Sequence, residues 1–330
     1  VQAIGIVGGG AWGTALGCVS VRAGRASLLW AREAEVAEEI NAAGRNSAFL
    51  PGIALEPGLH ATTNLADLAD REALLLAAPA QHLRRVAGQL APHLAAQTPL
   101  LICAKGIEES TGRLLSEVLA ETLPSNPVAV LSGPTFAGEV AGGLPAAVTL
   151  ACADHALGER LVAALGSETF RPYYADDVIG AQIGGAVKNV LAIACGIVVG
   201  LELGENARAA LITRGLAEMR RFALAKGARR ETLSGLSGVG DLILTCSSQQ
   251  SRNFSLGHAL GEGRSLAEIL GQRRSVAEGV YTAKALAGMG RQAGVEMPIA
   301  EGVAAILHAG AEVGDVMRGL LRRAFKREEP

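Results

Sequence analysis

The sequence predicts an α/β chain: a doubly wound, mostly parallel sheet in the first half, followed by an all-α second half. Three observations carry this. Up to about residue 175, short apolar runs alternate with amphipathic segments at helical period. Past Asp176 the strand pattern stops and long helical patterns replace it. A glycine-rich turn, Gly8-Gly9-Gly10-Ala11-Trp12-Gly13, follows the first apolar run directly. With 330 residues and roughly 150 residues per domain as a soft prior, the change of pattern divides the chain into 1–176 and 177–330.

The strands are expected at Ile4–Val7, Ser27–Trp30, Leu74–Ala77, Leu100–Cys103, Val128–Leu131 and Ala147–Ala151. Helices are expected to cover both faces of the sheet formed by these strands. Between them, Glu33–Ala42, Gln81–Leu90 and Leu114–Leu123 are expected as helices, so the connections are βαβ crossovers. In the second half the helices fall at Ile179–Gly200, Ala207–Lys226, Tyr281–Ala293 and Ile299–Ala309. The second of these places Ile212, Leu216, Met219 and Ala223 on one stripe, opposite Arg220, Arg221 and Lys226. The charged tail from Arg322 onward is expected as a solvated terminus.

Composition narrows the partners. The net charge is −2 and basic residues are dispersed, which gives no footprint for nucleic acid or an anionic membrane and favours a small-molecule partner. The five cysteines are scattered, with no CxxC pair, which argues against a disulfide framework or a zinc site and fits a reducing cytoplasm. No leader pattern opens the sequence. The most membrane-like stretch, Val178–Leu203, is divided by Lys188 and is expected as a buried helix. The six histidines show no metal-ligand spacing and no GxSxG elbow occurs, so chemistry free of metal and of a serine nucleophile is expected.

The glycine turn matches G-x-G-x-x-G, after a strand and before a helix-compatible run, which is the dinucleotide-binding context of a Rossmann fold. Gly8 permits the tight turn, Gly10 lets the backbone approach a pyrophosphate, and Gly13 lets helix and strand pack closely. Ala11 and Trp12 open the helix whose N-terminus attracts the phosphates. At the end of the second strand, where an acid would bind ribose hydroxyls, the sequence reads Ala31-Arg32-Glu33. Arg32 suits a 2′-phosphate, so NADP(H) is expected to be accepted alongside or instead of NAD(H), with Glu33 an alternative ribose contact should the strand end later.

Further blocks add specificity: Ala104-Lys105-Gly106-Ile107, Leu131 to Ala137 (LSGPTFA) and Gly184 to Val190 (GGAVKNV). They continue through Asn206-Ala207-Arg208, Leu211 to Glu218, Gly238 to Leu242, Ser251-Arg252-Asn253 and Val276 to Gly279. As an ordered set spanning nearly the whole chain, they resemble the NAD-dependent glycerol-3-phosphate dehydrogenase family. The resemblance implies a Rossmann domain and a helical substrate domain with the site between them. It also implies reversible reduction of dihydroxyacetone phosphate to sn-glycerol 3-phosphate, supplying glycerophospholipid synthesis. Ala11 departs from the family, where serine is common; the backbone donors remain.

Carbonyl reduction needs a hydride and a proton for the developing alkoxide, hence an acid of near-neutral pKa. Lys188, the sole charge in an apolar helix, is the candidate, since burial disfavours its ammonium form; a lysine merely snorkelling from that helix is the bland alternative. The resemblance implies the same proton donor/acceptor role. Lys105, at a strand end, is placed to polarise the carbonyl or to hold substrate and cofactor. Asp241 is a candidate partner for Lys188, and Asn189 and Thr245 candidates for orienting the substrate hydroxyls. Arg252, flanked by Ser251 and Asn253, offers a guanidinium fork for a phosphate. The resemblance assigns that triplet to glycerol phosphate, with Arg252 also near the cofactor. It further implies that Gly133, Thr135 and Ala137 line the bound molecules, and that Val276 and Glu278 close over the cofactor from the helical half.

Two other readings stay open on sequence grounds. A β-hydroxyacid or 6-phosphogluconate-type dehydrogenase shares the architecture and a Lys-Asn pair on a long helix, and a non-catalytic dinucleotide sensor shares the fingerprint. The SGPTFA and SRN blocks weigh against the first, and retention of both Lys105 and Lys188 against the second. A homodimer is only the base-rate expectation for a soluble enzyme.

Overall fold

The computed structural model describes residues 1–272 and 277–324; Val276, expected at the cofactor, lies outside the described residues. Strands β1 (Ala3–Val7), β2 (Ala26–Trp30), β3 (Leu59–Thr62), β4 (Ala73–Leu76), β5 (Leu100–Ile102), β8 (Val128–Ser132), β9 (Ala146–Cys152) and β10 (Phe170–Ala175) form one sheet in the order β10-β9-β8-β5-β4-β1-β2-β3, and β6 (Ile107–Glu108) with β7 (Arg113–Leu114) makes a separate antiparallel hairpin. Every pairing in the large sheet is parallel except β8 with β9. Along β4, Ala73 and Leu75 join one core cluster while Leu74 and Leu76 join another. The sheet is therefore buried on both faces, which explains why its strands are largely apolar.

The helices of this half are α1 (Ala11–Arg22), α2 (Ala34–Ala43), α3 (Leu83–Leu90), α4 (Leu115–Thr122), the short α5 (Ala137–Ala141) and α6 (His155–Leu165). Besides the short hairpin β6–β7, two strands of the large sheet escaped the sequence pattern, β3 and β10, and both are edge strands. In β3 only alternate residues are buried, and β10 carries Pro172, which an edge tolerates because one side of the strand needs no ladder donor.

The second half contains α7 (Val178–Gly200), α8 (Glu205–Ala225), α9 (Arg230–Ser234), a π-helical turn (Leu236–Gly240), α10 (Asp241–Cys246), α11 (Arg252–Gly261), α12 (Leu266–Gly271), α13 (Glu278–Gln292), α14 (Pro298–His308) and α15 (Val313–Leu321). α9 to α12 were not among the helices expected from periodicity, although α2 to α4, none of them longer than α11, were. Asp177 starts α7, its carboxylate accepting from Gly180 N at 2.8 Å and from Arg229 N at 2.9 Å. By length and composition α7 could cross a bilayer, yet 89% of its most apolar window is buried inside the fold.

Glycines decide how α7 packs. A Cβ on Gly196 would lie 2.1 Å from Phe254 O and one on Gly200 2.2 Å from His258 O; from the other helix, a Cβ on Gly257 would lie 2.0 Å from Ile193 O and one on Gly261 2.6 Å from Ile197 O. α7 and α11 thus touch backbone to backbone along four glycines, bringing Lys188 and Asn189 beside the start of α11, where Arg252 and Asn253 sit.

Candidate active site

The fingerprint loop has the geometry that a dinucleotide needs. Gly8 has φ +129°, in the left-handed region, and a Cβ on Gly13 would lie 1.9 Å from Gly8 O. A Cβ on Gly10 meets nothing within 4 Å, so the approach to its backbone is open. Gly10 is also the N-cap of α1 and no side chain caps that end, which leaves the first amides of α1, from Ala11 and Trp12 onward, for an anion. The Trp12 indole donates to Cys103 O at 3.1 Å, tying the loop to the end of β5 two residues before Lys105. Asn46, which nothing in the sequence singled out, braces it from below, its buried amide donating to Gly9 O at 2.9 Å and to Thr14 Oγ1 at 2.8 Å. Arg32 lies just past β2, exposed and paired with Glu33.

The charged centre forms where the strand ends meet α7 and α10. Asp241, fully buried, accepts from Lys188 Nζ at 2.8 Å through Oδ1 and from Lys105 Nζ at 2.7 Å through Oδ2. Thr245 Oγ1 accepts from Lys188 Nζ at 2.8 Å and donates to Asp241 Oδ1 at 3.1 Å. Lys105 Nζ also donates to Gly133 O at 2.7 Å. That carbonyl belongs to a residue with φ +152°, where a Cβ would come within 2.9 Å of Val148 Cα. The glycine pair in α7 serves the same assembly. Gly184 admits the π-helical turn, since its Cβ would lie 2.2 Å from Ser237 O, and Gly185 leaves room for Ser132 Oγ and the Lys105 side chain.

Burial drives the Lys188 ammonium down to about 8, with Lys105 adding to the effect and Asp241 opposing it. Burial alone would push the Asp241 carboxyl up, but Lys105 and Lys188 together outweigh it and hold the group below the usual carboxylate range. Two ammonium groups sharing one carboxylate leave a net positive charge in a buried place, suited to an oxygen that becomes negative.

Around this centre, Asn189 Nδ2 donates to Lys105 O at 2.8 Å, and Asn253 Nδ2 donates to Asn189 Oδ1 at 2.9 Å. Ser251 caps α11 by accepting from Phe254 N at 3.2 Å, so within the triplet Arg252 is the exposed side chain. Thr135 Oγ1 donates to Gly133 O at 3.2 Å, and Ala137 is the first residue of α5. From the helical half, Glu278 Oε1 accepts from Ala80 N at 3.0 Å across to the Rossmann half, while its Oε2 and Thr282 Oγ1 are buried without a hydrogen-bond partner beside Gly106. Burial pushes the Glu278 carboxyl up to about 7, against the Ala80 amide and Arg252. Among the described residues no three His, Cys, Asp or Glu side chains converge as a metal site would require.

A Rossmann sheet with an open glycine loop, a lysine at a strand end and a buried lysine on the abutting helix defines an NAD(P)-dependent oxidoreductase. The chain belongs to one family within that class. Residues 3–158 match the N-terminal model of NAD-dependent glycerol-3-phosphate dehydrogenase and residues 177–318 its C-terminal model. It is 58% identical over 325 residues, 98% of each chain, to the glycerol-3-phosphate dehydrogenase [NAD(P)+] of Parvibaculum lavamentivorans. The enzyme of that name from Rhodospirillum rubrum is 58% identical over 99% of this chain and 94% of its own. In structure it is similar to glycerol-3-phosphate dehydrogenase from Coxiella burnetii, with a TM-score of 0.94 and 40% identity over 98% of this chain and 99% of that one.

Proposed function

We propose that this chain catalyses the reversible NAD(P)-linked reduction of dihydroxyacetone phosphate to sn-glycerol 3-phosphate, feeding glycerophospholipid synthesis. The observation that carries the proposal is the buried Lys188–Asp241–Lys105 bridge at the strand ends. The cofactor, NADP(H) or NAD(H), supplies the hydride when bound. The open amides at Gly10 to Trp12 suit its pyrophosphate, Arg32 a 2′-phosphate, and the unpartnered Glu278 and Thr282 oxygens a donor on the bound cofactor.

Lys188 gives its proton to the carbonyl oxygen as the alkoxide develops, and takes it back in oxidation. Asp241 keeps the Lys188 ammonium in place, and Lys105 stabilises charge on the same oxygen. Arg252 holds the substrate phosphate, with Ser251 setting its helix end. A cytoplasmic location is part of the proposal, supported by five cysteines that are all free, as is division of the chain at 176/177, supported by the junction between β10 and α7.

Initial-rate oxidation of NADPH and of NADH with dihydroxyacetone phosphate tests this, with Lys188→Ala alongside. Turnover by the wild type and its loss in the variant are expected, by about 10²- to 10⁴-fold for a general acid. Cofactor binding without turnover by the wild type would sink the proposal. The reduction rate should fall as pH rises through about 8, because Lys188 then loses the proton it must donate. Asp241→Asn should move that fall to lower pH, since the carboxylate supports the ammonium form.

A further inference from the structure

Four groups form a hydrogen-bonded chain with a fixed direction. Gly279 N, in the first turn of α13, donates to Asn253 Oδ1 at 3.0 Å; Asn253 Nδ2 donates to Asn189 Oδ1 at 2.9 Å; Asn189 Nδ2 donates to Lys105 O at 2.8 Å. One end is a backbone N–H, which can only donate, and the other a carbonyl, which only accepts. Between them each side chain must accept on one side and donate on the other, which a carboxamide does and a carboxylate cannot. The orientation of both amides follows from the two ends. Both asparagines are buried, at 5% and 7% exposure, so a broken link would leave polar groups without partners.

We propose that Asn189 and Asn253 are positioning residues: they tie the N-terminal turn of α13 to the backbone of Lys105 and so set where the Lys105 ammonium meets Asp241. This gives the two side chains a task at Lys105 beyond any contact with substrate, and it rests on the Asp241-bound lysines being the reacting centre. The relay also couples the halves. The turn that places Glu278 on Ala80 is the one whose next amide begins the chain to Lys105. The first turn of α13 therefore reaches the Rossmann half both directly, through Glu278, and through two amides.

Asn253→Leu removes both of the relay bonds that Asn253 makes. Gly279→Ala strains the relay without deleting a polar group, because its Cβ would lie 2.6 Å from Asn189 O and 2.8 Å from Asn253 Oδ1. In each variant kcat at saturating substrate is expected to fall by up to ~10²-fold, the scale of a 1 Å misplacement, with the cofactor KM nearly unchanged. Combined with Lys105→Ala, Asn253→Leu should add little to the loss that Lys105→Ala causes alone, whereas a product of the two losses would overturn the proposal. A second readout does not need turnover. Competitive amine labelling followed by mass spectrometry should show Lys105 reacting several-fold faster in both variants, as its ammonium leaves Asp241. Unchanged Lys105 labelling in folded variants would overturn the relay even where the proposed reaction stands, and faster labelling with an inactive wild type would overturn the reaction alone.

Discussion

The two halves of the molecule use glycine in opposite ways. In the Rossmann half, Gly10 faces open space, and its value lies in what is absent around it. In the helical half, Gly257 faces the backbone of α7 at a distance no side chain permits, and its value lies in what is present. The first arrangement exposes amides to a ligand; the second brings buried side chains from separate helices to one place. A site made by backbone donors and one made by charged side chains thus fail differently.

The contrast is broken most severely at Gly257. Its alanine variant places a methyl 2.0 Å from Ile193 O and should destabilise the fold by about 3 kcal/mol, the upper range for overpacking, measured by chemical denaturation; a loss below a few tenths would mean the helices separate freely. Gly10→Ala should instead leave the melting temperature in place, since Gly10 has φ −73° and no neighbour within 4 Å. Its cofactor KM should rise roughly tenfold or more, about 1.4 kcal/mol of obstruction at the pyrophosphate.

The smallest effect is expected at the junction of the halves. The Glu278 carboxyl is raised to about 7 from an ordinary 4.5, so the native state holds a proton that the unfolded chain releases. Between those two values wild-type stability falls as pH rises. Glu278→Gln keeps an acceptor for Ala80 N and has no proton to lose. Its melting temperature should therefore gain on the wild type by about 1.5 °C or more between pH 5 and pH 8, the scale of 1 kcal/mol at roughly 2 cal/mol/K per residue. A constant difference across that range would show that the carboxyl does not ionise there.

Local features were legible in the sequence. The central strands stood out because sheet burial on both faces makes them largely apolar, and Lys188 because it is the one charge in a mostly apolar helix. β3 and β10 did not, since an edge strand is covered on fewer sides and reads as ordinary polar chain. Asp241 was a candidate partner for Lys188 in the sequence and accepts from it across 53 residues, whereas the partnership of Asn189 with Asn253, 64 apart, has no periodicity to betray it. Asn46 was invisible for the same reason: its contacts to Gly9 and Thr14 cross more than 30 residues and depend on the loop folding back beneath α1.

The four glycines between α7 and α11 act as a ruler made of main chain. Because no side chain intervenes, the spacing of the main chains that carry Lys188 and Arg252 does not depend on how side chains pack in the seam. Apolar residues elsewhere in the helical half are therefore free to exchange in size over evolutionary time while the spacing of the reacting groups stays constant, and drift in the core need not retune the chemistry.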